Sequence, residues 1–156
     1  MLLASSRVSS NLAAMSDGLD RKTHEEAFVA VFIQRHHRER LLFELASRRG
    51  RFLSRFCHAA LHYLDPRYVV TINPPNSDPD EILAILKKHG AGKDCYAMSC
   101  NDDIDTRIFP LKEALPAAVG HGLPSILSCL PGKLAYLETE QDFGPPPRYL
   151  LYRKHA

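Results

Sequence analysis

The pattern of hydrophobic and polar positions predicts helices in the first half of the chain and mainly strands in the second half. Residues 36–47 and 51–64 each place apolar residues on one side at helical spacing, with Gly50 breaking the pattern between them. The second helix is expected to stop before Pro66, because proline disfavours helical geometry in the residue that precedes it. The apolar run 28–33 predicts either a buried strand or the beginning of the following helix.

A third helix, ahead of Gly90, is marked at both of its ends. Ser77 or Asp78 can cap its first turn, and Pro79 suits that turn because it lacks an amide hydrogen. Gly90 offers the left-handed conformation with which helices commonly end. The charges agree with the helix dipole, since acidic residues occupy the first turn and basic residues the last. Four apolar residues are expected to form the buried face: Ile82, Leu83, Ile85 and Leu86.

Strands are predicted where short apolar runs are bounded by turn residues. There are four such segments: 67–72, 94–100, the hairpin 125–138 and 148–153. Pro131 and Gly132 fit the central positions of a type II turn in the hairpin, and we expect a bulge nearby because that turn suits hairpin twist poorly. A short helix over 111–119 precedes the hairpin, and Pro116 must shorten or kink it.

These elements indicate an α+β fold. A mostly antiparallel sheet of four or five strands, late in the chain, is expected to be covered by a layer of helices from early in the chain. The length of 156 residues and the absence of a composition break predict one globular domain over 23–156. Residues 1–22 are expected to form a disordered leader, and either Met1 or Met15 could be the true start. No apolar run reaches membrane-spanning length and no secretory signal is convincing, so we expect a soluble cytoplasmic protein.

Charge is unevenly distributed along the chain, although the net charge is only +2. Residues 21–64 carry a surplus of five positive charges, residues 65–142 carry a deficit of five, and the segment 35–56 alone holds seven arginines. Three interpretations fit this pattern. The arginines could form a solvated outer face of the helices, bind an anionic partner, or pair internally with the acidic segments 77–81 and 101–105.

Our first hypothesis is a non-enzymatic binding or regulatory module that contacts an acidic protein through complementary charge. Four arginines are expected to make the contact: Arg38, Arg48, Arg51 and Arg55. Nucleic acid is the second choice of partner, because its recognition usually adds aromatic side chains that stack on bases. The phenylalanines of the segment are all expected to face the core instead: Phe43, Phe52 and Phe56.

A catalytic alternative depends on the thiols. Cys100 or Cys129 could pair with His121, oriented by Asp102 or Asp103, in a small cofactor-independent enzyme that acts on a small molecule. Packing also explains the cysteines, because free cysteine is among the most buried residue types. Strand alternation in the hairpin supports packing, since one face would hold Leu127, Cys129, Leu134 and Tyr136. We therefore expect binding rather than catalysis.

No metal or cofactor is expected. His58 and His62 have the spacing of two ligands on one helix, but alanine stands where a zinc signature has glutamate. The segment 89–94 lacks the residues of a phosphate loop, and 101–107 lacks the glycine and closing glutamate of a calcium loop. We interpret 101–107 as a solvated loop in which Asp105 pairs with Arg107. The four cysteines have neither zinc nor disulfide spacing, which fits a reducing cytoplasm.

Overall fold

Six helices and six strands make up the parts of the chain that the computed structural model describes, residues 21–140 and 144–154. The helices are α1 (21–32), α2 (Arg38–Ser47), α3 (Arg49–His58), α4 (Ala60–Tyr63), α5 (Pro79–Lys88) and α6 (Leu111–Ala118). The strands are β1 (Val69–Thr71), β2 (Asp94–Ser99), β3 (Ile108–Pro110), β4 (Ser125–Leu130), β5 (Leu134–Glu138) and β6 (Arg148–Tyr152). Short 3-10 turns at Arg35–His37 and Pro66–Tyr68 precede α2 and β1. Within these two ranges, none of the helices is both long and apolar enough to cross a membrane.

The strands form a single antiparallel sheet in the order β1-β6-β5-β4-β2-β3. The predicted α+β class is confirmed, with helices mostly early and strands mostly late in the chain. All four predicted strand segments are confirmed, and the hairpin supplies two strands. The sixth strand, β3, was missed because it has only three residues and follows a loop rich in aspartate. It exists through its pairing with β2, where Tyr96 lies opposite Ile108.

Helices cover the sheet on both faces, whereas a single layer was predicted. Helices α1 to α4 pack on the face that carries Tyr96, Met98 and Leu137, and α5 and α6 pack on the face that carries Leu127 and Tyr136. Strands buried on both faces have nearly continuous apolar sequences, as β4 and β5 do. The predicted alternation is confirmed, because the second face holds Leu127, Cys129, Leu134 and Tyr136 together.

The run 28–33 belongs to α1, except that Ile33 forms an isolated bridge with Leu64. Phenylalanines of α1 and α3 meet edge to face and fill the first core, and burial of each such ring contributes about 1.5–3 kcal/mol. Gly50 is not the break between α2 and α3. The chain turns at Arg48, whose φ of −143° and ψ of 59° lie outside the helical range. A second interruption at Ala59 divides the predicted helix 51–64 into α3 and α4.

The predicted N-terminal cap of α5 and the predicted early end of α6 near its proline are confirmed. Asp78 caps α5 by accepting a hydrogen bond from the Glu81 amide at 2.9 Å, while the Glu81 carboxylate accepts from the Asp78 amide. This reciprocal arrangement is a capping box, which satisfies amides that a helix start otherwise leaves unpaired. Helix α6 contains Pro116 and ends two residues later, at Ala118.

The predicted turn of the hairpin is also present. The Lys133 amide donates to the Leu130 carbonyl at 3.0 Å, and Gly132 has a φ of +66°. A register shift between Ser128 and Leu130 supplies the expected bulge. Gly132 lies so close to α1 that a Cβ there would be 3.1 Å from a methyl group of Val31, so this turn both needs a positive φ and lacks room for a side chain.

Candidate partner-binding surface

The polar face of α3 and α4 carries the positive charge of the segment. Arg51, Arg55 and His58 recur at spacings of four and three residues, which places them on one side of α3, and His62 follows on α4 beyond the interruption at Ala59. The opposite side is buried in the first core through Phe52, Leu53, Phe56 and Ala60. Amphipathic spacing therefore directs the basic groups away from the sheet.

Arg55, a predicted partner contact, is used inside the chain. Its Nε donates to Glu44 Oε2 at 2.6 Å, its Nη2 to Oε1 at 2.5 Å, and its Nη1 to the Tyr63 hydroxyl at 2.8 Å. The hydrogen bonds from Arg55 lower the pKa of the Glu44 carboxyl group, against the opposing effect of burial. This pairing forms because α2 presents Glu44 to α3, and a bidentate pair satisfies both charges. The role of Arg55 as a partner contact stays a prediction.

Arg49 is also paired internally, and its partners come from distant parts of the chain. Its Nε and Nη2 donate to the Asp105 carboxylate at 3.0 Å each, and its Nη1 donates to Glu25. Glu25 also accepts from the buried Tyr96 hydroxyl at 2.7 Å. Asp105 thus pairs with Arg49 rather than with its neighbour Arg107. The predicted internal pairing holds for the segment 101–105 and not for 77–81, where Asp78 and Glu81 cap α5 on the other side of the sheet.

Four arginines of the segment 35–56 are exposed: Arg35, Arg40, Arg48 and Arg51. We call Arg40, Arg48 and Arg51 the basic surface. Arg48 and Arg51 are exposed, and neither forms an ion pair with any residue in the described ranges. The Arg40 side chain is 67% exposed and lies 3.7 Å from the same Glu44 carboxylate. After Arg55, the charges of Arg40 and Arg51 also lower the pKa of Glu44. Two guanidinium groups, those of Arg55 and Arg40, therefore share one carboxylate, and positive charge remains in excess.

Arg38, the fourth predicted contact, is half-buried. Its Nε donates to the Ile33 carbonyl at 2.9 Å, and its charge adds to the effect of Arg67 in lowering the pKa of Asp65. Phe43 corrects another prediction, because its side chain is 62% exposed and does not face the core. Phe43 follows Arg40 by three residues, so its exposed ring adjoins that arginine on α2. Leu42, 41% exposed, lines a groove against α1 instead.

A cluster of aromatic rings borders the basic surface. The ring of His37 lies 4.0 Å from that of His36, 5.1 Å from that of His62 and 4.9 Å from that of Tyr63, measured between centroids. We call His36, His37, His62 and Tyr63 the ring cluster. It joins the turn before α2 to α4, which are distant in sequence, so only the folded chain brings these side chains together.

His58 and His62 have different neighbours. The ring of His62 packs in the ring cluster, whereas His58 Nε2 lies 3.1 Å from Glu140 Oε2 in the lining of a groove of about 530 Å³. Among the residues with described positions, no three histidine, cysteine or acidic side chains are arranged to hold a metal ion.

The predicted thiol–imidazole pairing receives no support from the geometry. His121 is exposed, and its Nε2 donates to the Pro116 carbonyl at 2.6 Å. Cys129 is buried in the second core, and burial raises the pKa of its thiol to about 12. Cys100 is exposed, but desolvation and nearby carboxylates, Asp105 first among them, raise the pKa of its thiol too. A nucleophilic cysteine needs the opposite shift. The catalytic role of these residues stays a prediction.

Two buried polar groups had no sequence prediction. Glu138 of β5 is fully buried opposite Arg148 of β6, whose Nε donates to it at 2.7 Å, and the Gly120 amide donates to it at 2.9 Å. Each charge stands at one end of an apolar strand sequence, which was the available signal. Only the β5–β6 register shows that the two are opposite each other.

The chemistry of the basic surface suits carboxylates. Guanidinium groups present forked donors that match a carboxylate oxygen pair, and Arg48 and Arg51 have these donors unused by ion pairs of the described chain. The exposed Phe43 adds apolar contact area on α2, one helical turn from Arg40. Comparison of the chain with protein-family models, with curated proteins and with solved structures found no match.

Proposed function

We propose that the chain is a non-enzymatic binding or regulatory module that holds an acidic protein against the basic surface. The observation that carries this proposal is that Arg48 and Arg51 are exposed without an ion pair in the described chain, while Arg55 and Arg40 share the single carboxylate of Glu44. Because Arg55 already satisfies that carboxylate, a partner's carboxylates would be the natural acceptors for Arg51 and for Arg48 beside it.

The pairing of Arg55 with Glu44 supports such a role by holding α2 against α3. Arg40 projects from α2, and Arg51 projects from α3, so the relative position of the two helices sets the spacing of their charges. A rigid array of charges binds with less loss of conformational freedom than flexible side chains on separate elements. Complementary charge also speeds association with the right partner and repels wrong ones.

An acidic protein fits the surface better than nucleic acid does. Proteins that bind single strands combine basic grooves with several aromatic residues that stack on bases. On α2 and α3, Phe43 is exposed, whereas Phe52 and Phe56 are buried. The rings of the ring cluster also border the basic surface, but they pack against one another. The exposed Phe43 is instead typical of a protein interface, where apolar contacts are bordered by charged ones. Nucleic acid remains the second choice of partner.

The cytoplasm is the proposed location. Cys57, Cys95, Cys100 and Cys129 are all free thiols. Free thiols persist in reducing compartments, and disulfides form mainly in oxidising ones.

A charge-reversal experiment with a matched control tests the proposal. The variant Arg48→Glu/Arg51→Glu changes two exposed arginines without disturbing an ion pair, whereas Arg55→Glu would oppose Glu44 and endanger the fold. The control Lys112→Glu/Lys133→Glu changes the net charge equally at exposed positions on other elements. Binding to a short poly-L-aspartate is measured by calorimetry at low and high salt, with circular dichroism to check folding.

We expect Arg48→Glu/Arg51→Glu to weaken the affinity for poly-L-aspartate by at least about tenfold, equivalent to 1.4 kcal/mol. The lysine control should change the affinity by no more than about twofold, and high salt should weaken wild-type binding because exposed charges are screened. Equal losses in both variants would mean that only net charge matters. The arginines would then be a solubilising face and the proposal would be wrong.

A further inference from the structure

The ring cluster contains an imidazole nitrogen that has no partner. His37 Nε2 has no access to solvent and forms no hydrogen bond, and it is the only buried side-chain nitrogen or oxygen of the described residues in this situation. In a neutral imidazole this nitrogen can be the acceptor, and leaving a neutral acceptor unpaired costs less than leaving a charged donor unpaired. In an imidazolium ion both nitrogens carry hydrogens, and a buried unpaired donor is costly.

Two arginines face His37, Arg40 from α2 and Arg55 from α3. The other titratable groups against it are the rings of His62 and Tyr63 from α4 and of the adjacent His36. The carboxylate of Glu44 is nearby in α2, but it is occupied by Arg55. His37 is also the N-cap residue of the ten-residue helix α2, where the positive end of the helix dipole opposes a cation.

Burial is the main cause that lowers the pKa of His37, and the charges of His36, His62, Arg55 and Arg40 lower it further. A histidine with a lowered pKa in the folded state binds its proton more readily when the chain unfolds. The contribution to stability is therefore complete above the unfolded value of about 6.5, and it is lost as the pH falls from 6.5 through the lower folded-state value.

We propose that the ring cluster is a pH-sensitive latch that regulates the basic surface. With a neutral His37, the rings close the turn before α2 against α4. Protonation expels the His37 ring from the cluster, which gives its nitrogen water as a partner and adds a positive charge beside Arg40 and Arg55. The affinity for an acidic protein then rises on mild acidification. This last step rests on the proposed function, whereas the opening of the latch does not.

The latch is tested first in the full chain without a partner. NMR follows the ring signals of the histidines between pH 8 and 5, and urea denaturation is measured at pH 7.5 and 5.5. The expected midpoint for His37 is below 6.5, and the denaturation midpoint should fall on acidification. His37→Phe keeps an aromatic ring without an ionisable nitrogen, so it should lose most of that fall. A His37 midpoint at or above 6.5, or an equal fall in His37→Phe, would overturn the latch.

The regulatory role is tested by binding of poly-L-aspartate at pH 7.5 and 6.0, where aspartate stays ionised because its usual pKa is about 3.9. Wild type should gain affinity on acidification, and His37→Phe should gain less. An equal gain in both would overturn the regulation of binding by His37. If the affinity for poly-L-aspartate is the same in wild type and in the Arg48→Glu/Arg51→Glu variant at both pH values, the proposed function is wrong. The NMR and denaturation results then still decide whether the latch exists.

Discussion

Glu44 on α2 accepts two hydrogen bonds from Arg55 on α3, at 2.6 and 2.5 Å, and this pair joins two consecutive helices whose axes change direction at Arg48. The Glu44 side chain is 4% exposed, so the pair is shielded from water. It converts one arginine of the basic segment into a structural residue. The positive charges of the neighbouring Arg40 and Arg51 are not neutralised, because both oxygens of the Glu44 carboxylate already accept hydrogen bonds from Arg55.

Removal of Arg55 should be strongly destabilising. Arg55→Ala leaves the buried Glu44 without its main partner, and breaking a buried pair in this way costs about 3 kcal/mol. Arg40→Ala is the matched control, since Arg40 is mostly exposed and should contribute no more than about 0.5 kcal/mol. Urea denaturation of both variants measures the difference. Similar losses in the two variants would show that the Glu44–Arg55 pair has no special role.

Acid should weaken the fold through Glu44. Its folded-state pKa is lowered, first by the hydrogen bonds from Arg55, so its contribution is present above the usual glutamate value and is lost as the pH falls through the lowered one. We expect the free energy of unfolding to decline below about pH 4.3, and less steeply in Glu44→Gln. Glu39→Gln, an exposed change on the same helix, is the control. Identical pH profiles for wild type and Glu44→Gln would contradict the assignment.

The hydrogen-bonded network of Arg49, Asp105 and Glu25 should contribute less to stability when the Tyr96 hydroxyl is removed. Tyr96→Phe removes the hydrogen bond to Glu25 inside the core, and a buried bond to a charged group contributes about 1.5 kcal/mol. Tyr149→Phe removes a hydroxyl with no hydrogen bond to the described chain and should change the free energy of unfolding by less than about 0.5 kcal/mol. Thermal and urea denaturation of the two variants decide whether the network stabilises the fold.

The thiols should differ in reactivity without any being activated. Cys100 is exposed and should react slowly with iodoacetamide at neutral pH, because the pKa of its thiol is raised. Cys95 and Cys129 are buried and should react only after unfolding. Mass spectrometry of labelled peptides gives the rate for each site. Rapid labelling of Cys100 or Cys129 in the folded chain would instead support the catalytic alternative with His121.

Substitution of two glycines by alanine should change the free energy of unfolding in opposite directions. Gly132→Ala places a side chain at a positive φ and 3.1 Å from Val31, which should cost about 1–2 kcal/mol. Gly50→Ala lies in α3 with nothing within 4 Å of the new methyl group, and it should stabilise the chain by about 0.5 kcal/mol. Denaturation midpoints measure both effects. A stabilised Gly132→Ala would mean that the hairpin turn differs from the one described.

Local features were predicted well where the determining residues are close in sequence. The cap of α5 depends on Asp78 and Glu81, three residues apart, and the hairpin turn depends on the adjacent Pro131 and Gly132. Side-chain alternation in the hairpin was equally predictable, because it follows from strand geometry alone. The number of strands was less so, since three-residue β3 is stabilised by its partner strand and not by its own sequence.

The amino-acid sequence by itself determined the α+β class, the ends of α5, the hairpin and the excess of arginine on two early helices. The tertiary structure alone decided which arginines remain free, because Arg49 and Asp105 are 56 residues apart and Arg55 meets Glu44 only after the chain turns at Arg48. It also decided that His37 lies against His62 with one nitrogen unpaired. Charge is a property of each residue, but neutralisation and burial depend on neighbours that only folding supplies.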